Sequence, residues 1–169
     1  DSQRLQVVHL SDREGKCVLH HAAGSRKPES IRTILAQITK SEGLKAVCVQ
    51  DQRKKTALHY AARLGSIESI NTILALFPES ERLHAVCSQD IDGSTTLHLS
   101  IAAIKTKLEC VRTILLWIPE SQRLQAVSVQ DESGCTVLHN IATRRRYNED
   151  VRTILELLPG SQRLQAVNL

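Results

Sequence analysis

Thr56-Ala57-Leu58-His59-Tyr60-Ala61-Ala62-Arg63-Leu64-Gly65 is the stretch from which the fold of this chain can be read. Leu58, Ala61, Ala62 and Leu64 fall on or near one side of a short helix. Gly65 suits the stop of that helix. Upstream, Asp51-Gln52-Arg53-Lys54-Lys55 is polar and turn-like. Downstream, Ile70, Ile73, Leu74 and Phe77 are spaced at three and four, which predicts a second helix over Ile67 to Phe77. Pro78 ends it. The segment Pro78 to Val86 predicts a third, short helix. Proline fits its first turn, Glu79 suits its positive end, and Leu83 and Val86 face inward.

The same unit recurs along the chain. Leu-His stands at Leu19-His20, Leu58-His59, Leu97-His98 and Leu138-His139. Thr-Ile-Leu begins at Thr33, Thr72, Thr113 and Thr153. Ser-Gln-Arg-Leu-Gln begins at Ser2, Ser121 and Ser161, with variants at Ser41 and Ser80, so successive starts lie 39, 39, 41 and 40 residues apart. The order never changes, so one unit is repeated four times: about 2–40, 41–79, 80–120 and 121–160, with a partial fifth at 161–169. From the histidine to the apolar residue before the Thr-Ile-Leu block the distances are 11, 11, 13 and 12, which places the extra residues of the third and fourth units in the loop after the first helix. Gly15, Gly93 and Gly134 occupy the turn position held by Lys54 in the second unit. Glycine permits positive φ in a tight turn.

Composition agrees with thin helical layers. Of 169 residues, 41% are apolar but only 2% aromatic, so the core must be built from Leu, Ile, Val and Ala. At 24% charged residues the chain is neither a disordered tail nor a membrane protein, and no apolar run approaches the ~18 residues that span a bilayer. Without any Met, Asp1 does not read as a translation start, and the chain is expected to be a segment of a longer protein. Cysteines at 17, 48, 87, 110 and 135 form no C-x-x-C pair and are expected to be reduced, mostly buried and cytoplasmic. Neither a four-ligand metal set, even around Cys17, His20 and His21, nor a phosphate loop nor a catalytic constellation stands out. No cofactor and no enzymatic activity is expected of this segment.

The pattern Asp-x-x-Gly-x-Thr-x-Leu-His-x-Ala-Ala followed by two helices resembles the ankyrin repeat. It stands here as Asp92 to His98, as Gly134 to His139, and most closely as Thr56 to Gly65, while the first unit has Cys17 in place of the threonine. The resemblance implies an all-α, ankyrin-like helical solenoid forming a single domain over 1–169. Family units are about 33 residues long, so these longer units are expected to carry an extra short third helix per repeat. Such long, nearly identical inserts resemble ankyrin arrays of effectors secreted by intracellular bacteria, which would place the protein in a host cytoplasm. The resemblance also implies that each Leu-His histidine bonds the threonine hydroxyl and backbone groups of the turn. It excludes chelation, because stacked units hold these rings about 10 Å apart while a metal–nitrogen bond is roughly 2 Å.

In the resembling family the variable finger turns and the exposed side of the first helix bind partners. Carried onto this sequence, the fingers are Arg13, Glu14 and Lys16; Arg53, Lys54 and Lys55; Ile91, Asp92 and Ser94; and Glu132, Ser133 and Cys135. The position after Leu-His is His21, Tyr60, Leu99 and Asn140. Basic residues gather as Arg26 and Lys27, Arg63, Lys105 and Lys107, then Arg144, Arg145 and Arg146. The expected partner-binding set is Arg53, Lys54, Lys55, Tyr60, Arg63, Leu99, Lys105, Lys107, Asn140, Arg144, Arg145 and Arg146, acting in a monomer on a protein with an acidic surface. Trp117, where other units have Gln37, Leu76 and Leu157, is expected to pack against the inserted helix. The alternative is an anionic ligand, nucleic acid or a membrane surface, on the basic groups. A net charge of only +4 and no aromatic ladder argue against nucleic acid.

Overall fold

Each unit folds as three short helices behind a turn. The computed structural model describes residues 10–25, 27–102, 107–143 and 148–168. The first unit contains α1 (Val18–Ala23), α2 (Glu29–Leu35) and α3 (Lys40–Val47). The second contains α4 (Ala57–Leu64), α5 (Ile67–Leu74) and α6 (Glu79–Cys87). The third contains α7 (Thr96–Ala102), α8 (Lys107–Leu116) and α9 (Glu120–Ser128), and the fourth α10 (Val137–Ala142), α11 (Asn148–Glu156) and α12 (Gly160–Val167). No strand forms among the described residues; Ser11 and Cys17 share one isolated bridge. The expected all-helical solenoid with a third helix in every unit is what the chain adopts.

The second unit shows how local chemistry sets the boundaries. Thr56 is extended at the N-cap of α4. Gly65 closes that helix at φ 79°, its amide donating to the carbonyls of Ala61 and Ala62. Ser66 then accepts from the Ser69 amide and opens α5. The second helix stops at Leu74, not Phe77 as the spacing suggested. Leu76 and Phe77 donate to Ile73 and Leu74 in a tighter turn, at 3.1 and 3.2 Å. Pro78 disfavours helical backbone in the residue before it. The proline itself is extended, with ψ 151°, and precedes the third helix instead of sitting in its first turn. In the first unit Thr39 replaces proline and closes a capping box, its amide donating to Glu42 Oε2 at 2.7 Å.

The layers stack in register: α4 lies between α1 and α7, α5 packs on α8, and α6 packs on α9. One continuous apolar core runs from Cys17 to Ala166. Leu58, Ile70, Ile73, Leu97, Ile114 and Leu158 are among its fully buried members, and Phe77 is its one phenylalanine. The cysteines differ from expectation. Cys17 and Cys110 are buried, Cys87 and Cys135 are half-buried, and Cys48, one residue past α3, is exposed.

The inserted helices also tie units together. Arg123 on α9 donates Nε–H to the carbonyls of Leu115 (3.0 Å) and Ile118 (3.3 Å) and Nη1–H to that of Leu157 (2.8 Å). It thereby gives a charged donor to carbonyls at the C-terminal ends of α8 and α11. Arg82 on α6 instead lies over the Trp117 ring, 4.7 Å from its centroid, and the indole Nε1–H donates to Asn71 Oδ1 at 2.7 Å. Trp117 therefore packs against the inserted helix, as its variability suggested.

Candidate protein-interaction face

The turns ahead of α1, α4, α7 and α10 are four copies of one finger, each organised by an aspartate. Asp51 Oδ1 accepts from the amides of Arg53 (2.8 Å) and Lys55 (2.9 Å). Asp12, Asp90 and Asp131 do the same two and four residues on. Adjacent fingers are joined by backbone bonds: Gln52 to Glu14 (3.0 Å), Ile91 to Arg53 (2.9 Å) and Glu132 to Asp92 (3.2 Å). Gly15, Gly93 and Gly134 have φ of 78°, 70° and 73°, and Lys54 adopts φ 56° at the same position without being glycine.

The second carboxylate oxygen depends on the residue after Leu-His. His21 Nε2 lies 2.8 Å from Asp12 Oδ2, the Tyr60 hydroxyl donates to Asp51 Oδ2 at 2.6 Å, and Asn140 Nδ2 donates to Asp131 Oδ2 at 3.4 Å. Leu99 has no donor to offer Asp90. There the preceding finger supplies the partner: Lys55 Nζ lies 3.4 Å from Asp90 Oδ2. Lys55 is consequently buried, at 6% exposure, and is not an exposed contact as its finger position suggested. Burial pushes Asp51 up, but the Tyr60 hydroxyl and the Lys55 and Arg53 amides outweigh it and hold the carboxyl below its ordinary value. Burial, with Asp51 beside it, pushes the Tyr60 hydroxyl up to about 12.

Three of the Leu-His histidines, His20, His59 and His98, reach further than the turn. Thr56 N–H donates to His59 Nδ1 at 3.1 Å, so Nδ1 is the acceptor and Nε2 carries the proton. His59 Nε2 then donates to the Ser88 carbonyl (3.0 Å) at the boundary of the next unit. His20 reaches the Lys55 carbonyl (2.9 Å) and His98 that of Cys135 (3.0 Å) in the same way. Burial holds His59 and His98 below the ordinary imidazole value. His20 differs because Cys17 Sγ lies 3.0 Å from its Nδ1. Burial pushes His20 down, but the contact with Cys17 outweighs it and holds the ring above its ordinary value.

With this framework in place, Glu14, Lys16, Asp51, Gln52, Arg53, Lys55, Tyr60 and Arg63 line an open cleft of about 300 Å³ between the first two fingers. Arg53, Lys54 and Arg63 are exposed, while Tyr60 is half-buried. Lys16 pairs with Glu14 and lies 5.5 Å from the Tyr60 ring centroid. Residues 3–82 match the family model of ankyrin repeats (3 copies). No curated protein matches the chain. The ankyrin match spans just under half of the chain, whereas the three-helix unit continues through Val167. The all-helical stack is consistent with an ankyrin-repeat helical solenoid.

On this finger row Arg53, Tyr60 and Arg63 line the cleft, Lys54 is exposed on the same finger, and half-exposed Leu99 and Asn140 lie on the following units. Lys105, Arg144, Arg145 and Arg146, like Arg26, lie outside the described residues. Lys107 opens α8, but its side chain lies outside them too. The aspartate-to-Leu-His-neighbour bond was missed from sequence, although Asp and the residue nine positions on recur in every unit. Among the described residues no cluster of three or more His, Cys, Asp or Glu side chains is placed to hold a metal ion. No helix among them is long and apolar enough to cross a membrane.

Proposed function

We propose that the chain is a non-catalytic scaffold that binds another protein through its finger row and the exposed side of the first helices. Ankyrin repeats generally mediate protein–protein interaction, and the observation that carries the reading here is the cleft beside Tyr60. Arg53 and Arg63 line it in exposed positions, with Lys54 exposed next to Arg53, beside an aromatic ring already held in place by Asp51. Tyrosine and arginine are the residue types most enriched at binding hot spots. A positive rim favours a partner with an acidic surface. The inserts' resemblance to secreted bacterial effectors supports a targeting role met in a host cytoplasm.

The anionic-ligand alternative is weaker, because the net charge is only +4 and the sequence carries no aromatic ladder. Affinity capture with the wild type, with Arg53→Glu/Lys54→Glu and with Arg63→Glu tests the proposal. A specific protein retained by the wild type and lost from the charge-reversed forms, all with unchanged circular dichroism, is the expected result. Capture indifferent to those changes would remove this face. Binding that collapses between ~50 and 200 mM salt would point to a phosphate backbone instead.

A further inference from the structure

The fourth unit has a face that no later unit covers, and it is built like the three faces that are covered. Val47, Val86 and Val127 are buried, whereas Val167, at the same position on α12, is 61% exposed. Ala142 is exposed where Ala23, Ala62 and Ile101 are buried. With Leu138, His139, Val151 and Ala166 these two residues line an open, mainly apolar pocket of about 170 Å³. His20, His59 and His98 are buried, and each donates Nε2–H to a carbonyl of the next unit or its boundary. His139 keeps the same tautomer, its Nδ1 accepting from the Thr136 amide at 3.3 Å. Yet His139 is exposed, and its Nε2 has no partner among the described residues. The Ser133 carbonyl is also open among them, although Glu14, Arg53 and Asp92 at its position each accept from the following finger.

The first unit carries the complement. Val18 is exposed where Ala57, Thr96 and Val137 are buried. At a covered junction that position lies against the preceding third helix: Thr96 donates its hydroxyl to the Val86 carbonyl at 2.9 Å. Gln52, Ile91 and Glu132 donate their amides to the preceding finger, while the Arg13 amide, at the same position, has no acceptor among the described residues. Lys16 occupies the position from which Lys55 and Cys135 present a carbonyl to a histidine. The sequence 2–8 differs from 161–167 in one residue, so α12 carries the sequence that belongs ahead of the first finger. We propose that the first unit of a second copy of this chain covers the fourth unit, head to tail. The second copy's Arg13 amide donates to the Ser133 carbonyl, and His139 Nε2 donates to the second copy's Lys16 carbonyl. Val167 and the second copy's Val18 leave water together. A head-to-tail contact leaves one free end of each kind, so copies add in a string.

Sedimentation velocity of the whole chain over a concentration series tests this. The wild type should form species larger than a dimer as concentration rises. Val167→Asp blocks one end and Val18→Asp the other, and both side chains are exposed, so circular dichroism should not change. Each variant alone should stay monomeric. Their equimolar mixture should form one-to-one heterodimers and nothing larger, because one intact end of each kind remains. His139→Ala should weaken the wild-type association about fivefold, the loss of one hydrogen bond. Should Val18→Asp disturb the helices, Arg13→Pro removes the amide donor at the same end and takes its place in the mixture. A wild type that stays monomeric throughout would overturn the proposal and leave the end face to another occupant. Self-association that ignores both substitutions, or blocked variants that fail to pair although the wild type associates, would overturn it as well.

Discussion

Lys55 Nζ sits 3.4 Å from Asp90 Oδ2, with the two side chains only 8% and 1% exposed. The pair crosses from one finger to the next and exists because Leu99 cannot do for Asp90 what Tyr60 does for Asp51. Removing one member of a buried pair leaves the other charged and unsolvated. Lys55→Ala is expected to cost about 3 kcal/mol, read from urea denaturation. Leu99→Tyr in the same background should recover part of that loss by giving Asp90 a hydroxyl. Additive effects in the double-mutant cycle would show that the two residues do not serve the same carboxylate.

Lys54 holds a left-handed backbone at φ 56° where the other fingers have glycine. That conformation costs a side-chain-bearing residue roughly 1–2 kcal/mol, partly offset by the greater freedom glycine gives the unfolded chain. Lys54→Gly should therefore stabilise the protein by about 0.5–1 kcal/mol while weakening partner capture. The reverse change at the next finger is harmful. A Cβ on Gly93, at φ 70°, would meet the Glu132 amide nitrogen at 2.7 Å, so Gly93→Ala should lower the melting temperature. A neutral result at Gly93 would mean that the finger stacking is looser than its backbone bonds indicate.

Acid should weaken the stack in two steps. His59 and His98 are held below 6.5 by burial, so the folded state takes up their protons later than the unfolded chain does. Their contribution is complete above 6.5 and is lost as pH falls through their folded values. Asp51 and Asp131, held below 3.8, add a second loss as pH falls below that value. His20, raised by Cys17, acts oppositely: its contribution is present below 6.5 and fades as pH rises through its folded value. Cys17→Thr should move the His20 titration downward toward its siblings, measured by NMR. An unmoved His20 would discard the sulfur as the cause.

Arg123 joins the third and fourth units through the Leu157 carbonyl. Arg123→Ala removes a charge-assisted bond across the junction and is expected to cost about 2 kcal/mol. Hydrogen exchange should show the loss concentrated in α10 to α12. Uniform loss of protection over the whole array would mean that this arginine does not set the coupling of the last unit.

The repeat itself was legible in the residues, because each helix carries its own signals. Leu58, Ala61 and Ala62 mark a buried stripe, Gly65 a stop, and Pro78 a boundary, all through interactions within a few residues. The error at Phe77 arose because apolar spacing continues past Leu74 while the backbone must already leave the helix before Pro78. The candidate face was legible only in outline. Tyr60 and Arg63 could be placed on the first helix from the Leu-His position, but the Asp51 bond that orients Tyr60 needed the folded turn.

What the sequence determined alone was therefore the unit, its order and its three helices, since capping and periodicity act over one or two turns. Lys54 and Lys55 show what only the tertiary structure decided. They are adjacent lysines on one finger, equivalent by every local criterion. One remains in solvent at a strained φ, and the other is drawn inward by the carboxylate of the next repeat. That difference depends on Leu99, a residue one layer away, because a buried charge must find its partner wherever the packing provides one.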